Sequence, residues 1–171
     1  LNSNCTLVEC GHFSGQGAWL RRQLERNSDR CVLAYMHHAR FSSGVYGSRS
    51  QTRGLWKALY RGGADVVLNG HEHIYERFGP QRPSGRLDRR RGVHQFTVGT
   101  GGWYLFPIIA LAGHSRFAWN GGFGILTMRL RPHSLGWSFL SAPTGASVDH
   151  GKLRCHNDLD LPREPRRRRS G

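Results

Sequence analysis

The chain has 171 residues and a mass of 19.3 kDa, with 37% hydrophobic residues, 21% charged residues and a formal net charge of +14. A chain of this size reads as one domain able to bury about two thirds of its unfolded surface. It has no run of about eighteen apolar residues, which excludes a transmembrane helix; its longest apolar stretch, 105–112, is interrupted by Pro107.

The charge is concentrated. Of the 25 bases only Lys57 and Lys152 are lysines. Residues 82–91 hold five arginines and Asp88, and residues 163–169 hold five more and Glu164. Each run is net +4, and without them the chain stands at +6. Neither run carries the interleaved aromatics that stack bases, so the arginines read as a solvated loop and a disordered basic tail, not a nucleic-acid surface. The tail is expected over 158–171, after a domain at 1–157. The chain starts at Leu1 with no charged-then-apolar leader, so a removed signal segment or a longer parent chain is expected.

Taken in order, residues 1–5 (LNSNC) read as a strand. Residues 16–26 read as a helix with Trp19, Leu20 and Leu24 on one stripe. Residues 31–36 (CVLAYM) form a continuous apolar run, the mark of a buried parallel strand. Ser50 is placed to cap a second helix that buries Leu55, Trp56 and Leu59, and Gly62 and Gly63 end it. Residues 65–69 (DVVLN) and 95–99 (QFTVG) read as further buried strands. This alternation of strand and helix predicts an α/β layered fold. The last third differs. Residues 123–130 and 135–140 predict a β-hairpin, with Leu135, Trp137 and Phe139 alternating toward a core.

Four cysteines, Cys5, Cys10, Cys31 and Cys155, form no CxxC pair and allow three pairings. Their even number fits an exported protein with one or two disulfides, and equally a set of buried thiols.

There are ten histidines, and four follow directly on predicted strands: His37 and His38 after CVLAYM, His71 and His73 after DVVLN. Strand C-terminal ends are where α/β folds present their ligands. Gly70 permits a sharp turn there, and imidazole suits zinc, iron, nickel and copper.

The runs CVLAYMHHARFSSG, GADVVLNGHEHIYERF and FTVGTGG, followed by the hairpin, resemble the calcineurin-like metallophosphoesterases, most closely their exported, purple-acid-phosphatase-like branch. The resemblance implies the C-terminal half of a β-sandwich flanked by helices, in αββα layers (α/β, or α+β). It implies a hydrolase of phosphate esters with two metal ions, drawn from iron, zinc or manganese. His37 and His71 would ligate one ion and His73 the other. His38 falls one position past the ligand and is expected at most to support it. Tyr75, Glu76 and Arg77 are expected to brace the loop. An extracellular or periplasmic location is implied, with no membrane span.

The Asp-x-His, Gly-Asp and Gly-Asn-His runs of that family do not occur here. The chain is therefore expected to lack the bridging carboxylate, to need the N-terminal half of the domain as its partner, and to be inactive alone. One alternative is a degenerate domain that binds a partner or polyanion through its arginines; another is a single-metal, three-histidine site, told apart by metal stoichiometry.

Overall fold

The computed structural model describes residues 1–156; the expected basic tail lies outside the described residues. Helix α1 spans Gly15–Arg26 and strand β1 Leu33–Tyr35. A short 3-10 turn, Ser50–Thr52, leads into α2, Arg53–Arg61. Strands β2 (Val66–Asn69), β3 (Tyr75–Phe78), β4 (His94–Val98) and β5 (Ser115–Trp119) follow. The chain then forms β6 (Gly124–Arg131), β7 (Ser134–Ser141) and β8 (Ser147–Arg154). No described helix is long and apolar enough to cross a membrane.

The strands form two sheets. The first has the order β1-β2-β4-β3-β5, with β1, β2 and β4 parallel and β3 antiparallel to both its neighbours. The second is the antiparallel β6-β7-β8. One core lies between α1, α2 and the first sheet, around Leu20, Leu24, Leu55, Trp56, Leu59 and Val67. The other lies between the sheets, around Val66, Tyr75, Phe96, Leu135 and Phe139. Helix, sheet and sheet are thus three of the expected layers; among the described residues no helix covers the second sheet.

Several expectations need correction. Residues 1–5 are not a strand. Two short-range ties shape that segment instead: the Cys5–Cys10 disulfide and a bond from the Asn2 amide to Gln16 Oε1 at 2.7 Å. Trp19 is half exposed, because the stripe that faces the core is Gly17, Leu20 and Leu24. Ser50 opens the 3-10 turn and does not cap α2, whose N-terminus has no side-chain cap. Strand β1 is an edge strand, not a buried one, and leaves Tyr35 71% exposed. Ser14, by contrast, caps α1 by accepting from the Gly17 amide at 3.0 Å.

One bracket ties the sheets together. Asp149 on β8 accepts from the Tyr75 hydroxyl at 2.7 Å, from Arg77 Nε and Nη2 at 2.7 and 2.9 Å, and from Trp137 Nε1 at 3.2 Å. Burial pushes its carboxyl up, but the bonds from Arg77 and Tyr75 outweigh burial and hold it below the usual carboxylate range.

His94 on β4 makes stability depend on pH. Burial lowers its pKa to about 4, against the opposing Phe78 carbonyl and with added repulsion from His156 and Arg77. In the unfolded chain the imidazole titrates near its ordinary value of about 6.5, so the unfolded state binds the extra proton between these values. The contribution is complete above that ordinary value and is lost as pH falls toward about 4, at a cost of up to about 3 kcal/mol. Urea midpoints should fall accordingly between neutral and acidic buffer. His94→Gln should flatten that slope, and an equally steep slope in the variant would refute the assignment.

Candidate metal centre

The ends of β1 and β2 are stitched together before any histidine appears. The Met36 amide donates to Leu68 O at 3.0 Å and the Gly70 amide to His37 O at 3.0 Å. The buried Asn69 side chain donates to Met36 O at 2.9 Å and to His38 O at 3.1 Å. Two loops therefore leave neighbouring parallel strands with their backbones pinned to each other.

His71 has a φ of 65°, in the left-handed region that a residue with a Cβ enters at a cost of about 1–2 kcal/mol. Gly70 precedes it, and the Glu72 amide closes the turn on Gly70 O at 2.8 Å. The turn aims the His71 ring at the β1 loop. His71 Nδ1 lies 3.0 Å from His37 Nε2. The His38 ring stands 4.9 Å from that of His37 and 4.5 Å from that of His71. One potential ligand atom from each of His37, His38 and His71 lies within 4.8 Å of the others.

His73 points to a neighbouring position. Its Nδ1 donates to Tyr104 O at 2.8 Å, which leaves Nε2 with a lone pair, and its ring stacks on Phe106 at 4.2 Å. A ring nitrogen fixed on a carbonyl is the arrangement a metal-ligating histidine requires. Of the expected ligands, then, His37 and His71 meet directly and His73 stands outside their group. His38, expected only in support, stands inside it.

Burial lowers the His71 pKa to about 4, with His38, Arg49, His37 and His73 adding repulsion. Burial, then His37 and Arg49, also lowers that of His38. Both rings are therefore neutral at neutral pH and have lone pairs to offer. Tyr46 stacks on His71 at 4.4 Å, and Arg49 Nη2 donates to His71 Nε2 at 3.2 Å. Beside the histidines an open, largely apolar cleft of about 550 Å³ runs between β1, β2 and β6, with His37 on its wall.

The carboxylates nearby face inward. Glu76, on β3 and not in a loop, accepts from the Ser43 amide at 3.0 Å, from the Ser43 hydroxyl, and from Ser115 Oγ at 2.7 Å. Burial raises its pKa. Glu72 Oε1 accepts from the Tyr46 amide at 2.8 Å. These two acids shape the 42–46 loop, and the histidine group contains no carboxylate among the described residues. Cys31, Asp65 and Cys155 also converge, but the two thiols are joined in a disulfide and offer no thiolate. Sequence reading missed Asn69, Ser43, Glu72, Tyr46 and Arg49. Asn69 and Glu72 carried a signal, the one immediately before GHEH and the other within it.

This arrangement sits on the fold of the calcineurin-like metallophosphoesterases. No protein-family profile and no curated protein sequence matches the chain. Among solved structures it is similar to the purple acid phosphatase PPD1 from yellow lupin (Lupinus luteus) seeds, with a TM-score of 0.75 at 17% identity over 85% of this chain and 29% of that one. It is similar to GAP50, the anchor in the inner membrane complex of Plasmodium, with a TM-score of 0.64 at 19% identity over 82% and 42%. It is also similar to PhoD, with a TM-score of 0.51 at 11% identity over 80% and 31%. The chain thus spans less than half the length of each of these structures.

Proposed function

We propose that this chain is the C-terminal part of a two-metal phosphoester hydrolase domain, with His37 and His71 on one ion and His73 on the other. The observation that carries this reading is the meeting of His37 and His71 at 3.0 Å, at the ends of parallel strands in a phosphatase fold. When bound, a pair of such ions holds a phosphate ester, activates a water and stabilises the leaving oxygen. The chain's own residues present imidazole nitrogens, fix the His73 tautomer on Tyr104 O, and shield that ring with Phe106. The remaining ligands, the bridging carboxylate among them, belong to the N-terminal half of the domain. Two disulfides favour an oxidising location, extracellular or periplasmic.

The test is complementation. The purified chain should show no turnover of an aryl phosphate and at most one tightly bound ion. Joined to the upstream segment of its reading frame, it should gain a second ion and turnover together. Hydrolysis by the chain alone with two ions, or no second ion after joining, would refute the reading.

A second reading, a non-catalytic domain that binds a partner or polyanion, is favoured by the absence of a carboxylate from the described histidine group and by Arg49 at its rim. An upstream segment without the Asp-x-His and Gly-Asn-His runs would decide for it.

A further inference from the structure

We propose that His37, His38 and His71 form a self-sufficient site for a single zinc-class ion, which the chain fills without any second half. This inference rests on the reading of the strand ends as a metal centre, but it needs neither His73 nor a bridging carboxylate. The distances suit one ion. A tetrahedral ion with Zn–N bonds of about 2.0–2.1 Å separates its ligand nitrogens by roughly 3.3 Å. Here the closest pair is at 3.0 Å, and all three ligand atoms lie within 4.8 Å of one another.

The orientation of His38 is the second observation. Its Nδ1 faces Ser3 Oγ at 3.0 Å, and the same oxygen accepts the His38 amide at 2.9 Å. Ser3 is buried in the N-terminal segment that leads into the Cys5–Cys10 disulfide loop. Ser3 Oγ fixes the plane of the ring, and when it accepts from Nδ1–H, as a carbonyl or carboxylate does behind many metal-ligating histidines, Nε2 carries the lone pair for the ion. The backbone behind the site is equally fixed, since Asn69 anchors the carbonyls of both Met36 and His38. Three imidazoles leave a fourth position for water or a small anion.

Arg49 sets the condition for loading. It donates to His71 Nε2, and a guanidinium has no lone pair to accept with. Ligation through His71 Nδ1 places the proton on Nε2, so Arg49 must leave that nitrogen when the ion enters.

The experiment titrates the purified, oxidised chain with zinc and with cobalt, reading stoichiometry by calorimetry and geometry from the visible bands of tetrahedral cobalt. One ion per chain with a tetrahedral cobalt spectrum is expected. His38→Ala should weaken zinc binding by about 100-fold and Ser3→Ala by about tenfold, whereas His73→Ala should leave it unchanged. His38→Gln, closer in shape, controls for folding and should also lose the tetrahedral bands. Loss of binding in His73→Ala with retention in His38→Ala would overturn the proposal, because it would show the ion on the other set of histidines. No zinc bound by the chain would also overturn it. That result leaves the two-ion reading standing, since that reading depends on the joined upstream segment.

Discussion

Replacing Cys31 and Cys155 together by alanine is expected to lower the stability of the oxidised chain by about 4–5 kcal/mol. The bond joins residues 124 apart in sequence, and in the chain-entropy account a loop of that size restricts the unfolded ensemble by about this amount. It also fastens the end of β8 beside the start of β1, with Cys155 fully buried in the core between the sheets. Cys5–Cys10 spans only 5 residues and should contribute about 2 kcal/mol by the same account. Thermal melts of the two double-alanine variants check the ranking. For a chain of this size the first should melt lower by about 10–15 °C, and equal shifts in the two variants would contradict the loop-length explanation.

Asp149→Ala is expected to cost about 3–5 kcal/mol. The substitution leaves the Arg77 guanidinium, the Tyr75 hydroxyl and the Trp137 indole N–H without their shared acceptor between two sheets. Asp149→Asn keeps the shape and some of the bonds and should cost less. Urea unfolding of the two variants, at a pH above the carboxyl's range, gives the comparison. Asp149→Ala within about 1 kcal/mol of the parent would show that the bracket is not what joins the sheets.

The parallel strands β2 and β4 were legible because a strand buried between layers is a continuous apolar run, and VVL and QFTV read that way; β1 was found from its apolar run although it lies at the sheet edge. The helices were legible from their apolar stripes, and the β6-β7 hairpin from the alternation of Leu135, Trp137 and Phe139. Strand β3 was not. Its YERF carries two charges, and the partners that make them tolerable in a sheet lie far off in sequence: Ser43 is 33 residues from Glu76, and Asp149 is 72 residues from Arg77. Strand β8, SVDHGKLR, has the same difficulty. At the candidate metal centre the strand-end histidines were legible from their position after the apolar runs. The standing of His38 was not, because it depends on Ser3, 35 residues away, and on a turn at His71 that only the folded backbone displays.

Two glycines beside the histidine turn leave little room for a methyl group. A Cβ on Gly99 would stand 1.9 Å from the backbone oxygen of Glu72, and one on Gly44 would stand 2.3 Å from Glu72 Oε2. Glu72 is the residue between His71 and His73, so either glycine presses from beneath on the segment that aims both rings. The set of positions at which inheritance can damage this centre is therefore wider than its histidines. A lineage could keep every imidazole and still lose the alignment through a single alanine at position 99. The spacing of His37, His71 and His73 along a relative's chain is accordingly a poor guide to whether its centre still works, unless the small residues behind it are read as well.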